Sequence, residues 1–283
     1  MNETLKRVLT ALIVLPLAIT GIFWDFQHYL AFSVIVLIAS ILMALELLSI
    51  AEIKMIRVYK IISVASVSLI LLSVYLSTFR SDNIHGELIL FILILSTIII
   101  FLFETFQNSY RLTLEIVSIH ILVLVYCGVA ISYLLKLQSI SPYDLLYVWL
   151  ITWMTDTGAY FSGKYLGKHR LNLKASPNKT LEGFIGGIFF SLLSGVLLVF
   201  LLPQQYSADR SSFYSWPVLI PVTVLFAVIS IFGDLAESIM KRSGGVKDSR
   251  SYIPGHGGVL DVMDSLVYTV PLFYFLQILL KKS

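Results

Sequence analysis

Charged residues are scarce in this sequence. Asp, Glu, Lys and Arg make up 13% of its 283 residues, whereas soluble domains carry about 25%. Hydrophobic residues make up 58% of the chain. They come in blocks of about 17–25 residues, the length that a helix needs to cross the hydrocarbon layer of a membrane. These two features exclude a soluble globular fold and predict an all-α, polytopic integral membrane protein.

Cysteine is almost absent too. Cys127 is the single cysteine of the chain, so a disulfide within the chain is excluded. The formal net charge is only +3, and we expect no nucleic-acid partner.

The apolar blocks predict about nine transmembrane helices. They lie at 8–24, 29–51, 58–78, 88–104, 113–135, 143–163, 183–203, 216–240 and 262–280. The first block follows Lys6 and Arg7 as a signal peptide would, but a small-residue cleavage signal is poorly formed and eight more spans follow. We therefore interpret it as a span.

The basic residues are unequally divided between the two sides of such a bundle. Of the 20 lysines and arginines, the side opposite the N-terminus has only Arg80, Lys136, Arg210, Lys281 and Lys282. The positive-inside rule then predicts a cytoplasmic N-terminus and an external C-terminus. Basic residues that belong to a binding site on the N-terminal side would produce the same unequal division.

The two halves of the chain differ in their acidic residues. We interpret residues 1–140 as a transmembrane scaffold, and residues 141–283 as a catalytic region whose site faces the cytoplasm. The second region has carboxylates within or at the ends of its spans, where an ionised group is costly unless it is paired, hydrated or metal-bound. These residues are Asp156, Asp234, Glu237, Asp261 and Asp264. Structural ion pairs are the alternative interpretation.

A first polar cluster follows Asp156. Gly163-Lys164, Gly167-Lys168-His169 and the segment Ser176–Gly183 offer glycines, bases and hydroxyls that suit the binding of a polyanion. A helix start with a Ser or Thr cap explains Thr180 and Glu182 equally well, but it leaves Lys179 unexplained.

A second cluster extends from the eighth predicted span into the ninth. Asp234, Ser238 and Lys241 are spaced to share one side of a helix. Lys247, Asp248 and a Pro254–Gly258 turn follow, and then come two more aspartates. Glycines and a helix N-terminus can approach an anion closely. His256 in that turn is either near phosphate or simply bonded to backbone.

Together, the clusters predict a site where a divalent cation holds a triphosphate. Carboxylates of this kind suit Mg²⁺, which takes one or two of them and fills its coordination shell with phosphate and water. We predict Mg²⁺ as cofactor, with room for a second cation.

The second cluster resembles the signature of the phosphatidate cytidylyltransferases, also called CDP-diacylglycerol synthases. The matching residues are Ser238, Met240, Lys241, Arg242, Lys247, Asp248, Pro254, His256, Gly257, Gly258, Val259, Asp261, Met263 and Asp264. The 156–160 and 176–180 segments are similar to that family as well. Two positions depart from its pattern: Arg250 replaces a small residue, and Val262 replaces the arginine between the two signature aspartates.

The resemblance implies that CTP and phosphatidate react to give CDP-diacylglycerol and pyrophosphate at the cell (inner) membrane, with a homodimer among the expected states. It implies metal ligation by Asp234 and Asp261 first, and by Asp264 and Asp156 second. The remaining expected roles are catalytic for Lys241, Arg242, Lys247, Asp248 and His256, and substrate-binding for Ser176, Lys179, Thr180, Ser238, Gly257 and Gly258.

Two other classes of protein fit part of the pattern. A CTP-dependent polyprenol or dolichol kinase also uses a nucleotide at a membrane surface, but the Asp-His-Gly segment counts against it. An ion-coupled transporter also places acids and glycines inside spans. Its site would lie near the bilayer midplane, whereas these charges gather at the predicted cytoplasmic ends.

Overall fold

The computed structural model describes residues 16, 19–24, 29–79, 85–201, 215–247 and 257–282. Over these ranges the chain forms helices and short connections, without a β-strand. An isolated antiparallel bridge joins Arg170 to Thr180. The prediction of an all-α protein is confirmed for this part of the chain.

The helices are numbered here in chain order. They are α1 (Leu30–Ile53), α2 (Lys60–Phe79), α3 (His85–Thr105), α4 (Thr113–Val123), a π-helix (Leu124–Ala130), α5 (Ile131–Ile140), α6 (Pro142–Leu166), α7 (Leu181–Leu201), α8 (Trp216–Ser243), α9 (Val259–Met263) and α10 (Leu266–Lys282).

Within the described residues, 7 helical segments are long and apolar enough to cross a membrane. They are Leu30–Ile53, Lys60–Thr78, Glu87–Thr105, Thr113–Ile140, Leu181–Leu201, Trp216–Ser243 and Val259–Leu280. Each matches one predicted span. Several apolar helices of this length make the chain a multi-pass membrane protein.

The two other predicted spans account for the difference from nine. The block at 8–24 lies mostly outside the described residues. The block at 143–163 is helical and falls within α6, which has 25 residues. Its tyrosines, tryptophans, threonines and Asp156 make it less apolar than the seven segments. A count of nine is therefore not confirmed.

The described residues divide into two compact units. The first unit comprises the residues up to Pro142 together with Met240–Met263, and the second comprises Tyr143–Ile239 together with the residues from Asp264 onward. Helix α9 thus packs with the N-terminal half of the chain, where it lies against α1.

The first unit is built around α2, which packs against α1, α3, α5 and the π-helix. Its core consists of side chains such as Met43, Ile70 and Leu124, all fully buried. The hydroxyl of Ser40 on α1 donates a hydrogen bond to the carbonyl of Cys127 in the π-helix. Polar contacts of this kind tie helices together where lipid offers no hydrophobic driving force.

The second unit packs through small residues and hydroxyls. A Cβ at Gly158 on α6 would come within 2.6 Å of the Phe190 Cβ on α7, so only glycine allows this approach. A Cβ at Gly233 on α8 would come within 2.9 Å of the Ser265 Cα. The Ser265 hydroxyl also donates to the Ser230 carbonyl at 2.9 Å. These contacts hold the start of α10 against α8.

Candidate active site

Three carboxylates of the second unit lie together. Asp234 and Glu237 are three residues apart on α8 and so share a face, and Asp264 lies just before α10. One oxygen from each residue lies within 4.8 Å of the other two. Glu237 is 1% exposed and Asp264 4% exposed. We call these three residues the acidic cluster.

The close contact at Gly233 explains why the cluster forms. Because α8 has no side chain there, the chain at Asp264 and Ser265 can approach its backbone directly. Three ionised carboxylates this close repel one another unless a positive charge or protons intervene. Oxygen donors in such a group suit a divalent cation. The cluster therefore fits a metal ion.

Lys179 supplies one positive charge to the acidic cluster. Its Nζ lies 2.5 Å from Asp234 Oδ2 and donates to the Ile231 carbonyl at 3.3 Å. A small hairpin before α7 holds the lysine, because the Leu171 amide donates to the Lys179 carbonyl at 2.9 Å. Lys179, which a helix cap leaves unexplained, thus has a charged partner in the site.

Two neighbours of Lys179 have local structural roles. Thr180 Oγ1 accepts the Gly183 amide at 3.1 Å and so caps α7. Glu182 accepts hydrogen bonds from the His169 amide and from the His169 ring. Thr180 thus caps α7 and Glu182 lies in its first turn, as the helix-start interpretation expects, while substrate binding by Thr180 stays a prediction.

Asp156 on α6 belongs to the same electrostatic environment. It interacts with Asp234 and Lys179, and it also interacts with Asp264. Its side chain is exposed, whereas two of the three clustered acids are buried. Asp156 therefore adds negative charge beside the acidic cluster.

Asp261 lies in the first unit and has other partners. Its Oδ1 lies 2.5 Å from Lys241 Nζ, and its Oδ2 accepts the Gly258 amide at 2.8 Å. Gly257 precedes this contact with φ +89°, and a Cβ there would come within 2.5 Å of Asp261 Oδ2. Glycine at 257 is thus required by conformation and by space.

The sequence of the chain is similar to that of known proteins along almost its whole length. The model of the cytidylyltransferase family matches residues 5–280. A phosphatidate cytidylyltransferase of Bacillus subtilis is 34% identical over 282 residues, covering 97% of this chain and 96% of the relative. The chain belongs to the cytidylyltransferase family. The family predicted from the signature is confirmed, and it makes the protein a nucleotidyltransferase.

Other relatives are more similar over a shorter stretch. A phosphatidate cytidylyltransferase of Staphylococcus aureus is 41% identical over 153 residues, 54% of this chain and 56% of the relative. One from Staphylococcus haemolyticus is 40% identical over the same length. Neither the kinase nor the transporter interpretation receives support from these matches.

The remaining predicted site residues lie at the end of α8, in the hairpin and in α9, or outside the described residues. Ser238 is half-buried on α8, and Arg242 and Lys247 are exposed near its end. Ser176 lies in the hairpin, where its carbonyl accepts the Lys179 amide at 3.3 Å. Val262 is half-buried in α9. Asp248, Arg250, Pro254 and His256 lie outside the described residues.

The sequence assigns no specific role in the site to two further residues, although Glu237 is one of the five carboxylates within or at the ends of the later spans. Glu237 is in the acidic cluster, and its spacing of three from Asp234 was the available signal. Glu46 on α1 is fully buried and accepts the amides of Val259 and Leu260. A lone glutamate inside a long apolar span was the signal for Glu46.

The N-terminus of α9 differs from its predicted state. The sequence predicts that the backbone amides at the start of α9 are unpaired and can bind an anion. In the structure the Gly258 amide bonds to Asp261, and the Val259 and Leu260 amides bond to Glu46. The protein's own carboxylates therefore occupy these donors.

Proposed function

We propose that this protein transfers CMP from CTP to phosphatidate, forming CDP-diacylglycerol and releasing pyrophosphate. The observation that carries the proposal is the acidic cluster beside Lys179, in a chain that matches the cytidylyltransferase family over residues 5–280. The name shared by the Bacillus and Staphylococcus relatives supports phosphatidate as the acceptor.

The reaction exchanges one bond at phosphorus for another. An oxygen of the phosphatidate phosphate bonds to the α-phosphorus of CTP, while the bond from that phosphorus to the bridging oxygen breaks. The electron pair leaves with pyrophosphate. Such a displacement depends on positioning and on neutralisation of charge, and it requires no covalent intermediate with the protein.

The cofactor in this proposal is Mg²⁺. Asp234, Glu237 and Asp264 would hold it, and Asp156, which interacts electrostatically with Asp234 and Asp264, stays a further ligand predicted from the sequence. A bound cation neutralises negative charge on the triphosphate. Asp261 stays in the proposal as a ligand predicted from the sequence, and a second cation stays a prediction.

The basic residues would contact phosphate groups. Lys179 already offsets the charge of Asp234 and is accessible enough to contact a substrate phosphate beside it. Lys241, Arg242 and Lys247 are the other proposed phosphate contacts. Lys241 is now paired with Asp261, so it would have to share its ammonium between that carboxylate and substrate.

The proposal includes an orientation in the membrane. The bacterial relatives favour the cell membrane, and the distribution of bases favours a cytoplasmic N-terminus. CTP would then reach the site from the cytoplasm, and the acyl chains of phosphatidate would stay in the bilayer. A homodimer remains a prediction.

A product assay tests the reaction class. Purified protein in detergent is incubated with Mg²⁺, phosphatidate and CTP labelled either at the α-phosphorus or at the γ-phosphorus. Labelled CDP-diacylglycerol should form from the α-label only, whereas a lipid kinase would transfer the γ-label. Parallel reactions with diacylglycerol or a polyprenol in place of phosphatidate should form no labelled lipid. A phosphorylated polyprenol without CDP-diacylglycerol would overturn the proposal in favour of a lipid kinase.

A further inference from the structure

We infer that Glu46 is a positioning residue for the α9 segment, residues 257–263, and acts through its backbone. This inference deepens the proposed function, on which it rests, because α9 carries Asp261. Glu46 lies on α1, in the half of the chain that the sequence predicts to be scaffold. The role inferred for Glu46 is to hold the backbone of α9, not to contact substrate.

The contact is made by both oxygens of the carboxylate. Glu46 Oε1 accepts the Val259 amide at 2.9 Å, and Oε2 accepts the Leu260 amide at 2.8 Å. The first amides of a helix have no partner within the helix, and usually a side chain just before it caps one of them. Here the cap comes from a residue 213 positions away in the chain.

Burial makes this contact specific. The side chain of Glu46 is 0% exposed, and a buried carboxylate is costly unless hydrogen bonds satisfy its oxygens. Packing alone would be served by an apolar side chain of similar size. Two acceptors aimed at two adjacent amides indicate that the residue orients the helix start.

Helix α9 depends on such anchors because it is short. Its five residues form little more than one turn, which is unstable without outside contacts. Asp261 lies one residue beyond Leu260 and pairs with Lys241. Glu46 also interacts electrostatically with both members of that pair. A shift of the helix start would therefore move the Asp261 carboxylate.

The test compares Glu46→Gln with Glu104→Gln. Glutamine keeps the size of Glu46 but has one acceptor, so its amide group would face one of the two backbone amides. Glu104 is the matched control because it is also a buried glutamate of the first unit, 2% exposed. It accepts hydrogen bonds from Arg57, Tyr59 and Thr113, and none from α9.

Two measurements on folded, monodisperse protein distinguish positioning from general stability. Hydrogen exchange of the peptide 257–263 should become at least about 10-fold faster in Glu46→Gln, because the Glu46 bonds protect its amides. The kcat for CDP-diacylglycerol should fall about 10- to 100-fold, because a small displacement of Asp261 would misplace the substrates that the site holds. The KM for CTP should change less than about threefold, because Glu46 does not take part in binding CTP in the ground state. Glu104→Gln should change none of these values.

The conservative variant Glu46→Asp keeps the charge and serves if Glu46→Gln does not fold. Its shorter side chain should give the same changes in smaller degree. The inference is overturned if exchange and kcat stay at wild-type values, if Glu104→Gln reproduces the changes, or if neither Glu46 variant folds. Should wild-type protein make no CDP-diacylglycerol, the proposed function fails, whereas the exchange comparison still tests the hold of Glu46 on α9.

Discussion

Lys179 and Asp234 form an ion pair of 2.5 Å that joins the hairpin before α7 to α8. The lysine side chain is 22% exposed and the aspartate 38% exposed. Because neither is fully buried, the lysine can contact an incoming phosphate while it stays beside the acidic cluster.

Lys179→Met should lower kcat/KM for CTP about 10- to 100-fold. A charge-assisted hydrogen bond contributes about 1.5–3 kcal/mol, and about 1.4 kcal/mol corresponds to a factor of ten in rate. Lys174→Met is the control, since Lys174 is an exposed base of the same hairpin. Initial rates at several CTP concentrations measure the effect. Equal losses in the two variants would mean that the hairpin contributes only general positive charge.

Asp234→Ala should abolish turnover in well-folded protein, and so should removal of metal with EDTA. Without the carboxylate and its cation, the triphosphate would repel the incoming phosphate. Asp261→Ala should have the same effect if that residue is a ligand, as the sequence predicts. Assays of CDP-diacylglycerol with restored Mg²⁺ check the result. Near-normal rates in both variants would remove these aspartates as metal ligands.

Part of the site could be predicted from residue type and spacing. Asp234, Asp264 and Lys179 stand out because charges in or beside apolar helices are costly without a function or a partner. The sequence predicts Asp234 and Asp264 as ligands of one metal, but it does not reveal the close contact of Gly233 with Ser265 that brings α8 and the residue before α10 together. Glu237 lies in the same group because it is three residues from Asp234 on α8.

The fold was predictable where hydropathy is unambiguous. Seven apolar segments correspond to predicted spans, and the predicted span at 143–163 coincides with α6, which is helical but less apolar than the seven. Glu46 was missed because its partners, two backbone amides in α9, carry no side-chain signal in the sequence. Spacing along the chain does not reveal a contact between α1 and α9.

The membrane orientation predicts which side of the membrane a thiol reagent can reach. Ser139→Cys and Lys174→Cys introduce thiols at exposed positions, and the native Cys127 is buried. In intact cells, an impermeant reagent should label Ser139→Cys strongly. Lys174→Cys should be labelled only after the membrane is made permeable. The reverse pattern would invert the topology and place the hairpin away from cytoplasmic CTP.

The Mg²⁺ dependence of Glu237→Gln tests the central claim, that the acidic cluster holds the cation needed for CMP transfer. Glutamine has nearly the same size but removes one negative charge from a group whose oxygens lie within 4.8 Å of each other. We predict that the Mg²⁺ concentration for half-maximal CDP-diacylglycerol synthesis rises at least about 10-fold, within the range that loss of a charged contact produces. The rate should recover at high Mg²⁺. An unchanged Mg²⁺ dependence in folded Glu237→Gln would contradict the account.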